Sequence, residues 1–327
     1  YIDQDDKNSE RYVLRFCQGG LGLPDREYYL KHDAESVRVR TAYEKHVEAL
    51  YRLMGRNTKE ARTQTAAHLA LETALARASM KKEDRRDPHK VYNKLSVAAF
   101  GKLAPGIDWR EYLSRIGAQH VSSVIVSQPD FFKAVSRLAS SVPLADWKQY
   151  AEWHLVNSFA GALSARFVRQ SFLFYGKVLT GTSTLQPLWR RVLRGVNGQL
   201  GEPLGRLYAA KHFPPEAKKK MEQVVDDLFE AYEARIKGLE WMTPVTKKKA
   251  LLKLRALNRK IGYPDKWRSY AGLVIRPDEY LGNIVRASEH EHRRGVKKPR
   301  GPVDGEGWVV YPQKVDAYFP PHLKGIL

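Results

Sequence analysis

Cysteine is almost absent from this sequence, which has one, Cys17, in 327 residues. A single cysteine excludes an internal disulfide framework and any metal site built from several cysteines. Long apolar runs are also lacking, since no stretch approaches the roughly 20 consecutive apolar residues that a membrane-spanning helix requires. The first residues show neither a secretory signal pattern nor a methionine, and we therefore expect the sequence to begin inside a longer chain.

Acidic residues are few relative to basic ones, 36 against 56, which gives a formal net charge of +20. A charge of this size is typical of nucleic-acid-binding proteins. The basic residues occur in short, scattered runs, however, and no zinc-finger spacing or aromatic RNA-binding motif accompanies them. Solvated helix faces are therefore favoured over a binding site for a polyanion such as nucleic acid.

Apolar residues recur mostly with a helical period. Tyr43, Val47, Leu50 and Met54 are separated by four, three and four positions, which predicts one apolar stripe on a helix. The pattern continues in three further predicted helices and gives way to strand-like runs in only three places. The sequence therefore predicts a mainly α fold with a few short strands. The helices are predicted around 67–78, over 221–239 and from Thr243 to Ile261, and the strands over 121–126, 308–311 and 315–319.

Candidate chemistry is sparse when the residues are taken alone. His290 and Glu291 begin a zinc-helix pattern, but Arg294 occupies the position of the second histidine. The sequence contains no serine-nucleophile elbow and no phosphate-binding loop. His46 and His68 fall within amphipathic helices, where surface or packing histidines are expected in preference to metal ligands. Cys17 lies in an apolar run, where we expect a small buried residue. These patterns indicate no catalytic residue and no metal ligand.

Several motifs follow one another in the order found in a known family. The sequence resembles the neprilysin and endothelin-converting-enzyme family of zinc metallopeptidases, in its bacterial, cysteine-poor form, over almost its whole length. The motifs are Gln18–Tyr29, Leu71–Ala76, Arg86–Pro88 with Tyr92–Asn93, Asp108–Trp109, Gly201–Gly205, Trp241–Pro244, Lys260–Trp267, Asn283 with Arg286, and Val315–Phe319.

The resemblance implies a two-lobed enzyme in which a large helical lid lobe covers a zinc-bearing lobe that cleaves peptides. The zinc ligands of that family lie in two motifs beyond its Val-Asn-Ala-Tyr-Tyr segment, and both motifs are absent from this sequence. We therefore expect no cofactor in this chain, with zinc and the catalytic lobe supplied by a missing part. The resemblance also implies a helical N-terminal domain over 1–307, a strand stub over 308–327, and a location outside the cytoplasm.

One substrate-binding segment of the family is partly retained. The Asn-Ala pair of Val-Asn-Ala-Tyr-Tyr, which hydrogen-bonds the substrate backbone from an edge strand, corresponds to Asp316 and Ala317. Asp316 departs from the pattern because an ionised carboxylate accepts hydrogen bonds but donates none. Two interpretations remain open: an edge that has lost its binding role, or a residual contact with peptide.

Three hypotheses for function follow. The first is the N-terminal domain of a neprilysin-like zinc metalloendopeptidase, inactive without its zinc-bearing lobe. The second is a stand-alone helical module, from a truncated gene, that binds a peptide or protein. The third, motivated by charge alone, is a nucleic-acid binder, whose affinity would fall steeply with salt.

Overall fold

The computed structural model describes residues 1–305, 307–308 and 310–317 and the backbone of 325–326. Contacts divide the chain into two compact units. Unit 1 comprises 1–5, 11–191 and 275–301, and unit 2 comprises 6–10, 192–274 and 302–327. The predicted domain boundary between residues 307 and 308 remains a prediction.

Unit 1 is built mainly from helices. Five of them begin at side chains that accept from the first-turn backbone. Among these, Asp33 accepts from Ser36, and Asn57 forms a reciprocal capping box with Glu60. The helices are α1 (Glu27–Leu30), α2 (Ala34–Leu53), α3 (Thr58–Ala78), α4 (Pro88–Val91), α5 (Val97–Leu103), α6 (Trp109–Arg115), α7 (Pro129–Ser141), α8 (Leu144–Phe159) and α9 (Ala165–Ser171). A π-helical segment (Phe172–Val178), short 3₁₀ turns (Asp84–Arg86, Ala160–Ala162, Lys298–Arg300) and α13 (Tyr280–Lys297) complete the helical part.

A four-stranded sheet has the order β1-β2-β4-β3, and all of it except residues 8–10 belongs to unit 1. Its strands are β1 (Ile2–Asp5), β2 (Asn8–Phe16), β3 (Lys94–Ser96) and β4 (Ser123–Val126). Strand β2 is parallel to β4, with Leu14 opposite Val124, whereas β3 is antiparallel to it. The strand predicted over 121–126 is confirmed, and the apolar run before Cys17 forms a further strand that its sequence pattern does not predict.

Two apolar cores hold unit 1 together, and α3 contributes to both. One core packs Leu71 and Leu75 of α3 against the sheet and helices α5 to α7. The other packs Ala61 and Ala76 of α3 against α2, Trp153 of α8 and the π-helical segment. The polar side chains that α3 carries between these two faces are therefore held away from water.

Unit 2 contains the C-terminal part of α10 (Leu188–His212), α11 (Pro215–Gly238), α12 (Pro244–Arg255) and the parallel strand pair β5 (Asn258–Arg259) and β6 (Gly325–Ile326). Helix α10 is kinked at Leu200, three residues before Pro203. The predicted start of α12 is confirmed, because Thr243 caps it. Its predicted continuation to Ile261 is wrong, since β5 uses its backbone groups to pair with β6.

The two C-terminal strand predictions are not borne out in the described residues. Trp308, Val310 and Tyr311 form no strand, and neither do residues 315–317. Residues 309, 318 and 319 lie outside the described part of the chain. The helices of the described residues include none with the length and apolarity needed to span a bilayer.

Candidate functional site

Asp316 and Ala317, the predicted substrate-binding pair, both line an open groove of about 530 Å³ in unit 2. We call it the unit 2 groove. Its walls are largely apolar and come from the end of α10, one face of α11, the turn after β5 and the segment 308–317. Among the lining residues are Tyr208, Phe213, Met221, Ile261, Tyr311 and Val315.

Small residues on α10 allow the segment before Asp316 to pack closely. A side chain at Gly201 would overlap the ring of Tyr311, and one at Gly205 would come within 2.7 Å of Pro312. The amide of Gln313 donates to the carbonyl oxygen of Gly201 at 2.8 Å. The glycine spacing of the 201–205 motif thus has a packing reason, because it fixes the path of the chain that carries Asp316.

The carboxylate of Asp316 is already engaged locally. One oxygen accepts from the backbone N–H of Ala317 at 3.0 Å, and the other lies 2.6 Å from Nζ of Lys314. The Lys314 contact lowers the pKa of Asp316, so the side chain stays ionised at neutral pH. Lys314 therefore offsets the negative charge that would otherwise repel a peptide carbonyl.

A second polar cluster lies inside unit 1, around the fully buried carboxylate of Glu72 on α3. We call Glu72, His68, His154, Tyr29 and Tyr43 the Glu72 cluster. Oε2 accepts from the hydroxyl of Tyr29 at 2.7 Å. Oε1 lies 3.1 Å from the Tyr43 hydroxyl, 3.1 Å from Nε2 of His68 and 3.0 Å from Nε2 of His154.

The environment of Glu72 favours its ionised form. Burial by itself would raise the pKa of Glu72, but hydrogen bonds from His154 and His68 outweigh burial and lower that pKa to about 2. Burial raises the pKa of Tyr29 and Tyr43, so both phenols remain protonated and can donate. The unit 1 interior therefore contains a fixed negative charge surrounded by donors.

Two motifs that are distant in sequence meet at this carboxylate. The backbone N–H of Gly22 donates to Oε1 of Glu72 at 2.9 Å, and the N–H of Leu23 donates to the Tyr29 hydroxyl at 3.0 Å. Gly22, Leu23 and Tyr29 belong to the glycine-rich motif Gln18–Tyr29, and Glu72 belongs to Leu71–Ala76. The glycine-rich segment is thus fastened to α3 through one side chain.

The remaining candidate residues of the sequence analysis lie outside the unit 2 groove and the Glu72 cluster. His46 is buried, lies 3.3 Å from Oδ1 of Asn157, and has a pKa that burial lowers to about 4. His292 lies 2.9 Å from the carbonyl oxygen of Ile116. Of the surface and packing roles predicted for His46, its burial agrees with packing. Cys17, predicted to be buried, is exposed because it follows the end of β2.

Comparisons with known proteins define the class. The sequence profile of the N-terminal domain of peptidase family M13 matches residues 1–264. The crystal structure of the Mycobacterium tuberculosis zinc metalloprotease Zmp1 in complex with inhibitor superposes with a TM-score of 0.91 at 37% identity. The match extends over 100% of this chain and over 49% of the Zmp1 chain. The fold is thus that of the helical N-terminal lobe of a metallopeptidase, and the chain belongs to peptidase family M13.

Curated relatives agree with this assignment. Endothelin-converting enzyme-like 1 of Rattus norvegicus is 32% identical over 98% of this chain, and neprilysin-3 of Drosophila melanogaster is 28% identical over 98%. The chain spans 42% and 43% of the length of these two relatives. The predicted resemblance and the mainly helical fold are therefore confirmed.

The catalytic zinc of such enzymes does not fit the residues of this chain. The sequence has no His-Glu-x-x-His motif. Within the described residues, three metal-ligand side chains converge only at His68, Glu72 and His154, and two of these are buried in unit 1. No step of peptide hydrolysis is therefore assigned to residues of this chain.

Proposed function

We propose that this chain acts as the N-terminal, lid-forming domain of a neprilysin-like zinc metalloendopeptidase and is inactive without a zinc-bearing catalytic region. The observation that carries the proposal is the superposition of the entire chain on about half of a zinc metalloprotease. In this proposal, residues 1–307 form the helical domain, and residues 308–327 lead towards the catalytic region. Zinc belongs to that region and peptides are the substrate.

The surface of unit 2 supports a packing partner. Helix α11 leaves Met221, Val224, Leu228 and Tyr232 exposed at helical spacing, and only Phe229 of that helix is buried. Helix α12 has no buried residue, and Val245 and Leu252 on it are exposed. Apolar faces of this kind are typical of interaction surfaces. We propose that the catalytic region covers them, which favours a lid domain over a stand-alone module.

The purified 327-residue chain should release no products from a bradykinin-sized peptide, with or without added zinc, because it lacks the motifs that activate water on zinc. Products are measured by mass spectrometry. A matched chimera joins this chain to the part of M. tuberculosis Zmp1 that it does not cover, and this chimera should gain chelator-sensitive cleavage. Chelator-sensitive cleavage by the chain alone would refute the proposal.

We further propose that Asp316 and Ala317 contact the backbone of a bound peptide from the unit 2 groove. Both residues line that groove, and the apolar residues that line it beside them suit peptide side chains. Main-chain hydrogen bonding explains how such an edge could accept peptides of many sequences.

Replacing Asp316 with asparagine should strengthen peptide binding about two- to tenfold, because an amide can donate to a peptide carbonyl as well as accept. Fluorescence anisotropy with a labelled extended peptide measures the change in Kd. Asp227→Asn makes the same charge change on an exposed part of α11 outside the groove and should leave the Kd unchanged. Equal affinities for the wild type and Asp316→Asn would favour an edge without a binding role.

A further inference from the structure

Three metal-ligand atoms converge inside unit 1. His68 and Glu72 are four residues apart on α3 and therefore share one face of the helix. His154 on α8 points to the same place. One ring nitrogen of His68, one of His154 and a carboxylate oxygen of Glu72 all lie within 4.8 Å of one another. Both imidazole nitrogens are 3.0–3.1 Å from the same oxygen, Oε1 of Glu72.

A tyrosine beside His68 offers an acceptor for a proton on Nδ1, which would leave Nε2 available as a ligand. The Tyr51 hydroxyl has one proton, and it donates to the carbonyl oxygen of Gln149 at 3.3 Å. Nδ1 of His68 lies 3.5 Å from the same hydroxyl oxygen, which can accept a proton that Nδ1 carries. With the proton of neutral His68 on Nδ1, the lone pair of Nε2 is available to a metal ion beside the Glu72 carboxylate.

The buried negative charge of Glu72 also favours a cation at this place. Its side chain is fully buried, and its described ion-pair partners are His68 and His154, with no lysine or arginine among them. A buried carboxylate without a permanent cation is costly unless a proton on an imidazole or a metal ion supplies the positive charge. The cluster has the composition and the charge to hold a metal.

The donor set selects the kind of ion. Two imidazole nitrogens and one carboxylate oxygen suit zinc and its first-row neighbours, whereas calcium and magnesium prefer oxygen ligands. Outer contacts needed to orient such ligands are present: Gly22 and Tyr29 donate to the carboxylate, and Tyr51 holds His68. The His154 side chain is 26% exposed, which gives an ion a route to the site.

We propose that His68, Glu72 and His154 form a binding site for a divalent transition-metal ion, with zinc as the best match. The hydroxyl of Tyr43 lies 3.4 Å from Nε2 of His68 and 3.1 Å from Oε1 of Glu72, beside two of the three ligand residues. The ion would link α3 to α8 at the point where the glycine-rich segment is fastened. It would therefore stabilise unit 1.

Zinc titration of the chelator-treated 327-residue chain tests this site directly. Isothermal titration calorimetry should show one equivalent bound with a Kd on the order of 1 μM. His154→Gln, which alters the partly exposed ligand, should weaken binding at least tenfold. His89→Gln changes an exposed histidine of α4 and should leave the Kd within about twofold. Circular dichroism establishes that each variant is folded.

Cobalt in place of zinc gives a second readout that needs no substitution. The wild-type chain with one equivalent of Co²⁺ should show the intense visible absorption of a four-coordinate site, and X-ray absorption should show imidazole and oxygen ligands. Absence of saturable binding, or binding that His154→Gln leaves unchanged, would overturn the proposal. Glu72 would then be paired with a protonated imidazole instead.

Discussion

Replacing Glu72 with glutamine should lower the free energy of unfolding by about 3–5 kcal/mol in the presence of a chelator. The buried carboxylate accepts from Gly22, Tyr29 and Tyr43 and contacts His68 and His154. A glutamine amide has the same size but carries two N–H donors, which would face groups that themselves donate. We therefore expect the loss of stability that follows when a buried ionic cluster loses its charged member.

Urea unfolding followed by circular dichroism measures the effect of Glu72→Gln. Glu44→Gln is the matched control, because Glu44 lies exposed on α2, and it should change stability by less than about 0.5 kcal/mol. A loss of similar size in both variants would show that the Glu72 cluster contributes little to the stability of unit 1.

The pH dependence of this difference follows from the pKa of Glu72, which falls from an ordinary 4.5 to about 2 in the folded protein. The unfolded chain binds the proton at higher pH, so acid favours unfolding. The contribution is complete above about pH 4.5 and is lost as pH falls towards 2, and it amounts to about 3 kcal/mol. The difference in free energy of unfolding between the wild type and Glu72→Gln should therefore decrease as pH falls from about 4.5 towards 2. His46 also titrates in this pH range, but it does so in both proteins, so its effect cancels in the difference between them.

Gly22→Ala should destabilise the protein by about 3 kcal/mol, because a methyl group there overlaps the hydroxyl of buried Tyr43. Moving Tyr43 would also weaken its hydrogen bond to Glu72. The backbone of Gly22 is not left-handed, so the expected cost is one of packing and not of backbone strain. Urea unfolding again measures the change.

Gly19→Ala, in the same glycine-rich segment, is the control for Gly22→Ala. No atom lies within 4 Å of a side chain built at Gly19. The free energy of unfolding of Gly19→Ala should therefore remain within about 0.5 kcal/mol of the wild-type value. Adding Tyr43→Phe to Gly22→Ala removes the overlapping hydroxyl and should recover part of the loss, with a coupling of about 1 kcal/mol. Equal effects at Gly19 and Gly22 would contradict the packing explanation.

Helices could be predicted from this sequence where an apolar stripe and a cap coincide. The stripe Tyr43, Val47 and Leu50 is buried on α2, and the predicted cap Thr243 begins α12. The end of α12 could not be predicted, because Leu257 and Ile261 continue the helical spacing although the chain leaves the helix after Arg255. Pairing of β5 with β6, some 67 residues further on, decides that boundary.

The Glu72 cluster in the interior of unit 1 could not be predicted from sequence patterns. The spacing of His68 and Glu72 was visible, yet it is common on solvated helix faces. The signal that would have separated the two cases is the alternation of apolar residues on both sides of α3, since Leu71 and Leu75 face one core and Ala61 and Ala76 the other. A helix buried on two sides must also bury the polar side chains between them.

The sequence by itself determined the helical periodicity, the helix cap at Thr243 and the ordered motifs that identify peptidase family M13, because each depends on residues close together in the chain. Only the tertiary structure decided that Glu72 joins the glycine-rich segment to α3 and α8, and that Asp316 lines an apolar groove. His154 lies 82 residues from Glu72, and Gln313 lies 112 residues from Gly201. Such side chains meet only after helices pack, and helix packing depends on the shapes of both partners.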